Sequence, residues 1–287
     1  MTSAGGPSSR GPQDETLVSS SMAFDDDTRV DDRGDGVYEG AIADGWATPR
    51  GPLGGYVQAI VLRAMQQAVG DDARQPRSMT MHFLRVPQVG PVAIRATVER
   101  AGRSLTSVSA RLEQHGRLLG LALGAFSVAW EGPLLDDAPM PRAAPADGRG
   151  THEEALGERR PAFTDRLTMQ HRFGGPPFTG AAHGETGGWI GLGEERPVDA
   201  LTIAVLADAW FPAPWPRLTG LAPAPTIDLT LHFRAPLPLA DGVLLGRFAT
   251  SLIRDGFFEE DGTLWAPDGT LVAQSRQLGL LIGAKAP

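Results

Sequence analysis

The chain has 287 residues, of which 41% are hydrophobic and 21% charged, and its net charge at pH 7 is −8. This length suits one large domain or two domains of ordinary size, and the apolar fraction is sufficient for a substantial core. There is no cysteine, which excludes disulfides, cysteine metal ligands and a thiol nucleophile. An acidic chain without a basic cluster is also a poor binder of nucleic acid.

The N-terminal segment gives little sign of structure. Residues 1–22 are rich in Ser, Gly and Pro, and we expect them to be disordered. The acidic stretch Asp25–Asp32 does not have the spacing of an EF-hand loop, so solvated turns are favoured over a calcium site. No apolar run approaches the ~18 residues of a membrane span, and the N-terminus lacks the apolar centre of a signal peptide. We therefore expect a soluble, cytoplasmic protein.

The first half, residues 23–130, reads as one helix followed by an antiparallel meander. From Gly54 to Val69 the apolar residues recur in steps of three and four, which predicts a helix with one buried stripe and two glycines at its start. From Val92 to Ala125 the apolar residues alternate with polar ones, and Gln114–Gly116 marks a turn. This change of period predicts strands that follow the helix.

The second half repeats this order. Residues 131–162 are rich in Pro, Ala and Gly and form a predicted linker, and residues 163–287 form a predicted second domain. Its helix is predicted over residues 198–210, with Pro197 in the first turn, and a proline-rich loop covers residues 212–225. Strands are predicted over 187–192, 226–234, 243–253 and 271–282.

A short signature recurs in both halves. The sequence HFLRVP begins at His82 and HFRAP begins at His232, each before its meander. The shared order of helix, signature strand and meander indicates a duplication. The predicted fold class is therefore α+β, a double hotdog with two long helices, each wrapped by a curved antiparallel sheet. The two sheets are expected to pair at an edge, with the helices on opposite faces.

Three polar residues stand out in apolar surroundings. Asp208 falls close to the apolar stripe of its predicted helix, so it lines a pocket or, alternatively, caps the next turn. Thr226 begins a strand. Gln277 shares a strand face with Ala273 and Ser275, so it reaches into a cavity or, alternatively, lies in solvent.

From about Gly54 to Leu281 the sequence resembles the acyl-CoA thioesterase II family of double-hotdog hydrolases. In the first half the resemblance is carried by the helix start GGYVQ, by HFLRVP, and by R-x-G-R-S from Arg100 to Ser104. In the second half it is carried by Ala207-Asp208, by T-I-D-x-x-x-x-F-x-x-P from Thr226, and by D-G-x-L-V-A-x-x-x-Q ending at Gln277.

The resemblance implies a site and a substrate. In that family an Asp, a Thr and a Gln orient the hydrolytic water, and by motif position these are Asp208, Thr226 and Gln277. The substrate would be an acyl-CoA, without a cofactor, and the protein would form a homodimer. Backbone N–H groups at Gly54 and Gly55 would stabilise the oxyanion, unless these glycines only permit a tight turn. The histidines show no metal-ligand spacing, so no metal site is expected.

Two other functions stay open. A protein that binds acyl-CoA without cleaving it is favoured by the proline- and tryptophan-rich loop after Asp208, which does not match the family pattern. A double-hotdog hydratase would need an Asp and a His on one short D-x-N-P-x-H-type segment, which this sequence does not contain.

Overall fold

The computed structural model describes Met1 and residues 23–148 and 160–284. Apart from Met1, the segment 1–22 that is predicted to be disordered lies outside these ranges, as does the middle of the predicted linker. The helices and strands, in chain order, are α1 Ala23–Asp27, β1 Val30–Asp32, β2 Val37–Ile42, β3 Ala47–Thr48, β4 Gly51–Pro52, α2 Gly54–Val69, β5 Gln75–Phe83, β6 Gly90–Ala101, β7 Leu105–Gln114, β8 Arg117–Ser127, β9 Leu167–Gly174, β10 Gly184–Leu192, β11 Pro197–Val198, α3 Ala200–Leu206, β12 Thr226–Phe233, β13 Leu239–Asp241, β14 Leu244–Thr250, β15 Ile253–Arg254, β16 Phe257–Trp265 and β17 Leu271–Leu280.

One antiparallel sheet of 13 strands runs through both halves. Its strand order is β1-β2-β6-β7-β8-β5-β12-β17-β16-β14-β10-β9, with β15 paired to β16. The first six strands come from one half and the last six from the other, and each half places its strands in the same order from the edge inward. The two signature strands, β5 and β12, meet at the centre. The predicted pairing of the two sheets is therefore present.

The register at this central seam shows a local two-fold relation. His82 and His232 begin the two signatures 150 positions apart, and Thr80 and Thr230 share the same spacing. Thr80 and Thr230 also lie directly opposite each other, and their hydroxyls are hydrogen-bonded at 2.9 Å. A two-fold axis therefore passes between these threonines, as the duplication predicts.

Helix α2 confirms the predicted boundaries. It spans 16 residues from Gly54 to Val69, and its apolar stripe is buried against the sheet. It ends where Gly70 adopts a left-handed conformation with φ of 63°, and the Gly70 N–H donates to the Gln66 carbonyl. Glycine adopts this conformation without steric penalty, which explains the position of the stop.

Helix α3 is shorter than predicted, with seven residues. Asp199 caps its start by accepting the Thr202 N–H at 2.9 Å, so Pro197 lies in β11 and not in the first helical turn. At the other end the Asp208 N–H bonds to the Val205 carbonyl, which tightens the last turn. Pro212 cannot donate to a further turn. The prediction of two long helices is therefore not confirmed.

The two helices lie on the same face of the sheet, so the predicted placement on opposite faces is wrong. The start of α2 packs on the end of α3: a Cβ added to Gly55 would lie 2.4 Å from the Ala204 carbonyl oxygen. The pairing of β5 with β12 explains why both helices lie on one face. The two-fold axis of an antiparallel pair stands perpendicular to the sheet, so it exchanges the halves without turning the sheet over.

The acidic N-terminal stretch is ordered by arginines. Asp25 in α1 pairs with Arg63 at 2.7 Å and with Arg196 at 3.2 Å, and Asp27 accepts the Trp46 indole N–H at 2.9 Å. Solvated turns are therefore the wrong interpretation for these two carboxylates. Across the described ranges, no helix combines the length and apolar character needed to cross a membrane.

Candidate functional site

The first part of the site forms where the start of α2 meets the end of α3. Asp208 Oδ2 accepts a hydrogen bond of 2.6 Å from the backbone N–H of Gly55. N–H groups in the first helical turn have no partner within the helix, and the helix dipole favours a negative charge there. Asp208 therefore contacts the other half of the chain, and this bond is not the local cap of the alternative interpretation.

Two glycines allow this close approach. A Cβ on Gly55 would lie 2.8 Å from the Asp208 Cβ, and a Cβ on Gly54 would lie 2.9 Å from Asp208 Oδ2. The Phe83 ring is the next neighbour of Gly54, with its Cζ 3.4 Å from the same added atom. The glycine pair is thus required for the carboxylate to reach the backbone of α2.

Burial changes the acidity of Asp208. Its side chain is partly buried, and loss of hydration raises its pKa from 3.8 to about 7, while the Gly55 hydrogen bond acts in the opposite direction. A carboxyl with this pKa exchanges a proton readily near neutral pH. Asp208 can therefore act as a general base.

The second part of the site joins β12 to β17. The Thr226 hydroxyl donates to Gln277 Oε1 at 2.7 Å. Gln277 is only 7% exposed, so it is not the solvated residue of the alternative interpretation. The structure therefore brings the predicted threonine and glutamine into direct contact.

Glu260 is a site residue that the sequence analysis missed. It lies on β16 opposite Gln277, is 4% exposed, and accepts the Gln277 Nε2–H at 2.7 Å. Burial is the largest cause of the rise in its pKa from 4.5 to about 7; the hydrogen bonds from Ala213 and Gln277 oppose that rise, and the charge of Asp208 contributes to it. The sequence did contain a signal for it: Glu260 alternates in step with Phe258 and Leu264, which places a carboxylate on the buried face of its strand.

Two links connect the parts of the site. The charge of Asp208 acts on Glu260, and Glu260 accepts the backbone N–H of Ala213 in the loop that follows Asp208. Within residues 23–148 and 160–284, no three histidine or acidic side chains converge as metal ligands would. A small cavity of about 100 Å³ beside Trp46 and Glu194 shares no residue with this site.

Comparison with known proteins gives family and fold. Residues 42–129 match the acyl-CoA thioesterase N-terminal domain, and residues 136–281 match the acyl-CoA thioesterase C-terminal domain. An uncharacterized protein of Mycobacterium tuberculosis is 26% identical over 284 residues, covering 85% of this chain and 91% of its own length.

Two solved structures are similar over nearly their whole length. A conserved protein of unknown function with a hot dog fold, from Alicyclobacillus acidocaldarius, aligns with a TM-score of 0.81 and 25% identity over 93% of this chain and 99% of its own. The acyl-CoA thioesterase II TesB2 of Mycobacterium marinum aligns with a TM-score of 0.71 and 20% identity, over 93% and 98% of the two chains. At that identity the second likeness shows the fold alone.

Proposed function

Because the chain belongs to the acyl-CoA thioesterase family, we propose that it hydrolyses an acyl-CoA thioester to a free carboxylic acid and CoA. The observation that carries this proposal is the Asp208 carboxyl, which has a pKa of about 7 and is held by the Gly55 N–H at the start of α2. A thioester carbonyl is already electrophilic, so a positioned water, a base and an oxyanion donor are sufficient for hydrolysis.

In the proposed reaction Asp208 takes up one proton and then returns it. The carboxylate takes a proton from water as the water oxygen forms a bond to the thioester carbon. The C–S bond then breaks, and the leaving thiolate of CoA recovers the proton. Thr226 donates its own proton to Gln277, so its oxygen is oriented to accept a hydrogen bond from the water.

The two glycines take different roles in this proposal. In the structure the Gly55 N–H is directed to Asp208, so Gly55 positions the base. The Gly54 N–H belongs to the same first helical turn, and it becomes the proposed donor to the oxyanion. The predicted oxyanion role is thus assigned to Gly54 alone.

The test is thiol release from a panel of acyl-CoAs of increasing chain length. Thr226→Val and Gln277→Met keep the side-chain volume and remove the hydrogen bonds, so we expect kcat to fall on the order of 100-fold. Matched controls are Thr230→Val on the same strand as Thr226, and Gln274→Met at an exposed position on the same strand as Gln277. These controls should keep wild-type turnover.

Two outcomes would contradict the proposal. Wild-type turnover in both Thr226→Val and Gln277→Met would remove the site. Tight binding of acyl-CoA by the wild-type protein without any thiol release would favour the non-hydrolytic alternative. The cytoplasmic location and the homodimer remain predictions from the sequence.

A further inference from the structure

We propose that Glu260 is a positioning residue for this hydrolysis, because its carboxylate fixes the orientation of the Gln277 amide and anchors the loop that carries the base. The inference rests on the proposed function and adds to it a residue that family resemblance did not supply. It is carried by hydrogen-bond geometry, by burial and by the repeat within the chain.

The side-chain amide of Gln277 can take two orientations. The amide oxygen of a glutamine accepts hydrogen bonds and the amide nitrogen donates them, whereas an ionised carboxylate can only accept. Ionised Glu260 accepts from Gln277 Nε2 through Oε1 at 2.7 Å, so the amide oxygen faces Thr226. Thr226 must then donate its proton to that oxygen, which leaves its own lone pairs for the water. Glu260 thereby sets the donor and acceptor pattern of the whole chain of hydrogen bonds.

Glu260 also holds the loop that follows Asp208. Glu260 Oε2 accepts the backbone N–H of Ala213 at 2.5 Å, and Ala213 is fully buried. The same loop is held at Trp210, whose indole N–H donates to the Thr186 hydroxyl at 2.7 Å. One carboxylate therefore joins Gln277 to the segment that begins with Asp208.

The first half of the chain contains a position that matches Gln277. Gln277 lies opposite Leu229 in the pairing of β12 with β17. The residue 150 positions before Leu229 is Met79, and it lies opposite Gly124 in the pairing of β5 with β8. Gly124 therefore occupies in the first half the place that Gln277 occupies in the second.

The same relation identifies the counterpart of Glu260. Glu260 lies opposite Gln277 in the pairing of β16 with β17, and Val108 lies opposite Gly124 in the pairing of β7 with β8. Val108 is fully buried. The same strand arrangement therefore forms with a valine at this point, so the fold does not require a carboxylate there. A buried carboxylate is unfavourable unless partners or function retain it, and this one is retained beside the proposed site.

The charges around Glu260 supply a separate readout. Asp208 and Asp261 both oppose its ionisation, and burial raises the pKa of Glu260 and of Asp208 to about 7. Two carboxyls that oppose each other lose their protons in two coupled steps. The repulsion that Asp208 exerts on Glu260 is mutual, so removing Glu260 should ease the ionisation of Asp208 and move the rising limb of kcat/KM to lower pH.

The experiment compares Glu260→Val and Glu260→Gln with wild type by thiol release from the preferred acyl-CoA. Glu260→Val introduces the residue found at the matching point of the first half, and Glu260→Gln presents an amide that allows Gln277 to turn over. We expect kcat to fall roughly 10- to 100-fold in both, with KM changed less than threefold. In Glu260→Gln the rising limb of the pH profile should also shift to lower pH.

The matched control is Glu259→Gln on the neighbouring position of β16. A glutamine there can still accept the Ser251 N–H that Glu259 accepts at 2.7 Å, so turnover should stay at the wild-type level. Melting temperatures and circular dichroism of all variants establish that the fold is kept. A folded Glu260→Val with wild-type kcat and an unshifted pH profile in Glu260→Gln would overturn the role of Glu260 alone. Absence of thiol release from every acyl-CoA by wild type would overturn the proposed function and this inference with it.

Discussion

Replacing Asp208 by asparagine should make the protein more stable and less active at the same time. Asparagine has nearly the same shape, and its Oδ1 can accept the Gly55 N–H that Asp208 accepts at 2.6 Å. The substitution therefore removes a charge and leaves the packing in place. Thiol release should be lost, because an amide cannot take a proton from water.

The size of the stability change follows from the shifted pKa of Asp208. Burial raises that pKa from 3.8 to about 7. A carboxyl with a raised folded-state pKa contributes stability that is present below 3.8 and is lost as the pH rises through 7. At ~1.4 kcal/mol for each pKa unit, the full loss at pH 8 is about 4 kcal/mol, and water at the partly exposed carboxylate reduces it to about 2–4 kcal/mol.

Asparagine does not titrate, so the gain in the Asp208→Asn variant should depend on pH. The difference in free energy of unfolding should be small near pH 4 and should grow to about 2–4 kcal/mol at pH 8. Loss of the Asp208 charge also lowers the pKa of Glu260, which acts in the same direction. Urea unfolding at several pH values between 4 and 8 measures both the sign and the slope.

A control separates this effect from a general change in charge. Asp72 is exposed, and Asp72→Asn should show no such growth with pH. The reasoning would be refuted if the stability difference between Asp208→Asn and wild type were constant from pH 4 to pH 8. It would also be refuted if the variant were less stable than wild type at pH 8.

Two further substitutions test the contact between the halves. Gly55→Ala would place a Cβ 2.4 Å from the Ala204 carbonyl oxygen, so the two helices must separate. We expect the free energy of unfolding in urea to fall by about 2–3 kcal/mol, and kcat to fall as well. Unchanged stability would contradict the observed packing. Arg196→Met removes a buried guanidinium that pairs with Asp25 at 3.2 Å and with Asp199 at 3.0 Å. We expect the free energy of unfolding to fall by about 3 kcal/mol without loss of kcat. A change below about 1 kcal/mol would show that these ion pairs contribute little to stability.

Local patterns in the sequence predict one helix and its meander well, and miss other elements such as β9 and β16. The steps of three and four after Gly54 predict α2 with both of its ends, and the alternation of apolar residues predicts the meander strands β6 to β8. The end of α3 was placed too late, because apolar periodicity continues past Leu206. The position of that end depends on the bond from Asp208 to Val205 and on the packing of Gly55, which the periodicity does not contain.

The candidate site was also predicted from the sequence only in part. Thr226 and Gln277 follow from motif positions, and the structure joins them by one hydrogen bond. Glu260 was missed because no strand was predicted between residues 253 and 271, and because its role depends on strand register: it lies 17 positions from Gln277 in the sequence and directly opposite it in the sheet. The alternation of β16 gave a weak signal, since it places a carboxylate among buried apolar residues.

By itself the sequence indicated α2, the meander strands β6 to β8, the duplication of the chain, and the polar residues that interrupt its apolar patterns, but it did not predict β9 or β16. These properties depend on residues that are near one another along the chain. Only the tertiary structure decided that both helices share one face of the sheet, that Gly55 holds Asp208 across 153 positions, and that Glu260 faces Gln277. Such contacts are fixed by register and by close packing between distant segments, and both depend on the whole chain at once.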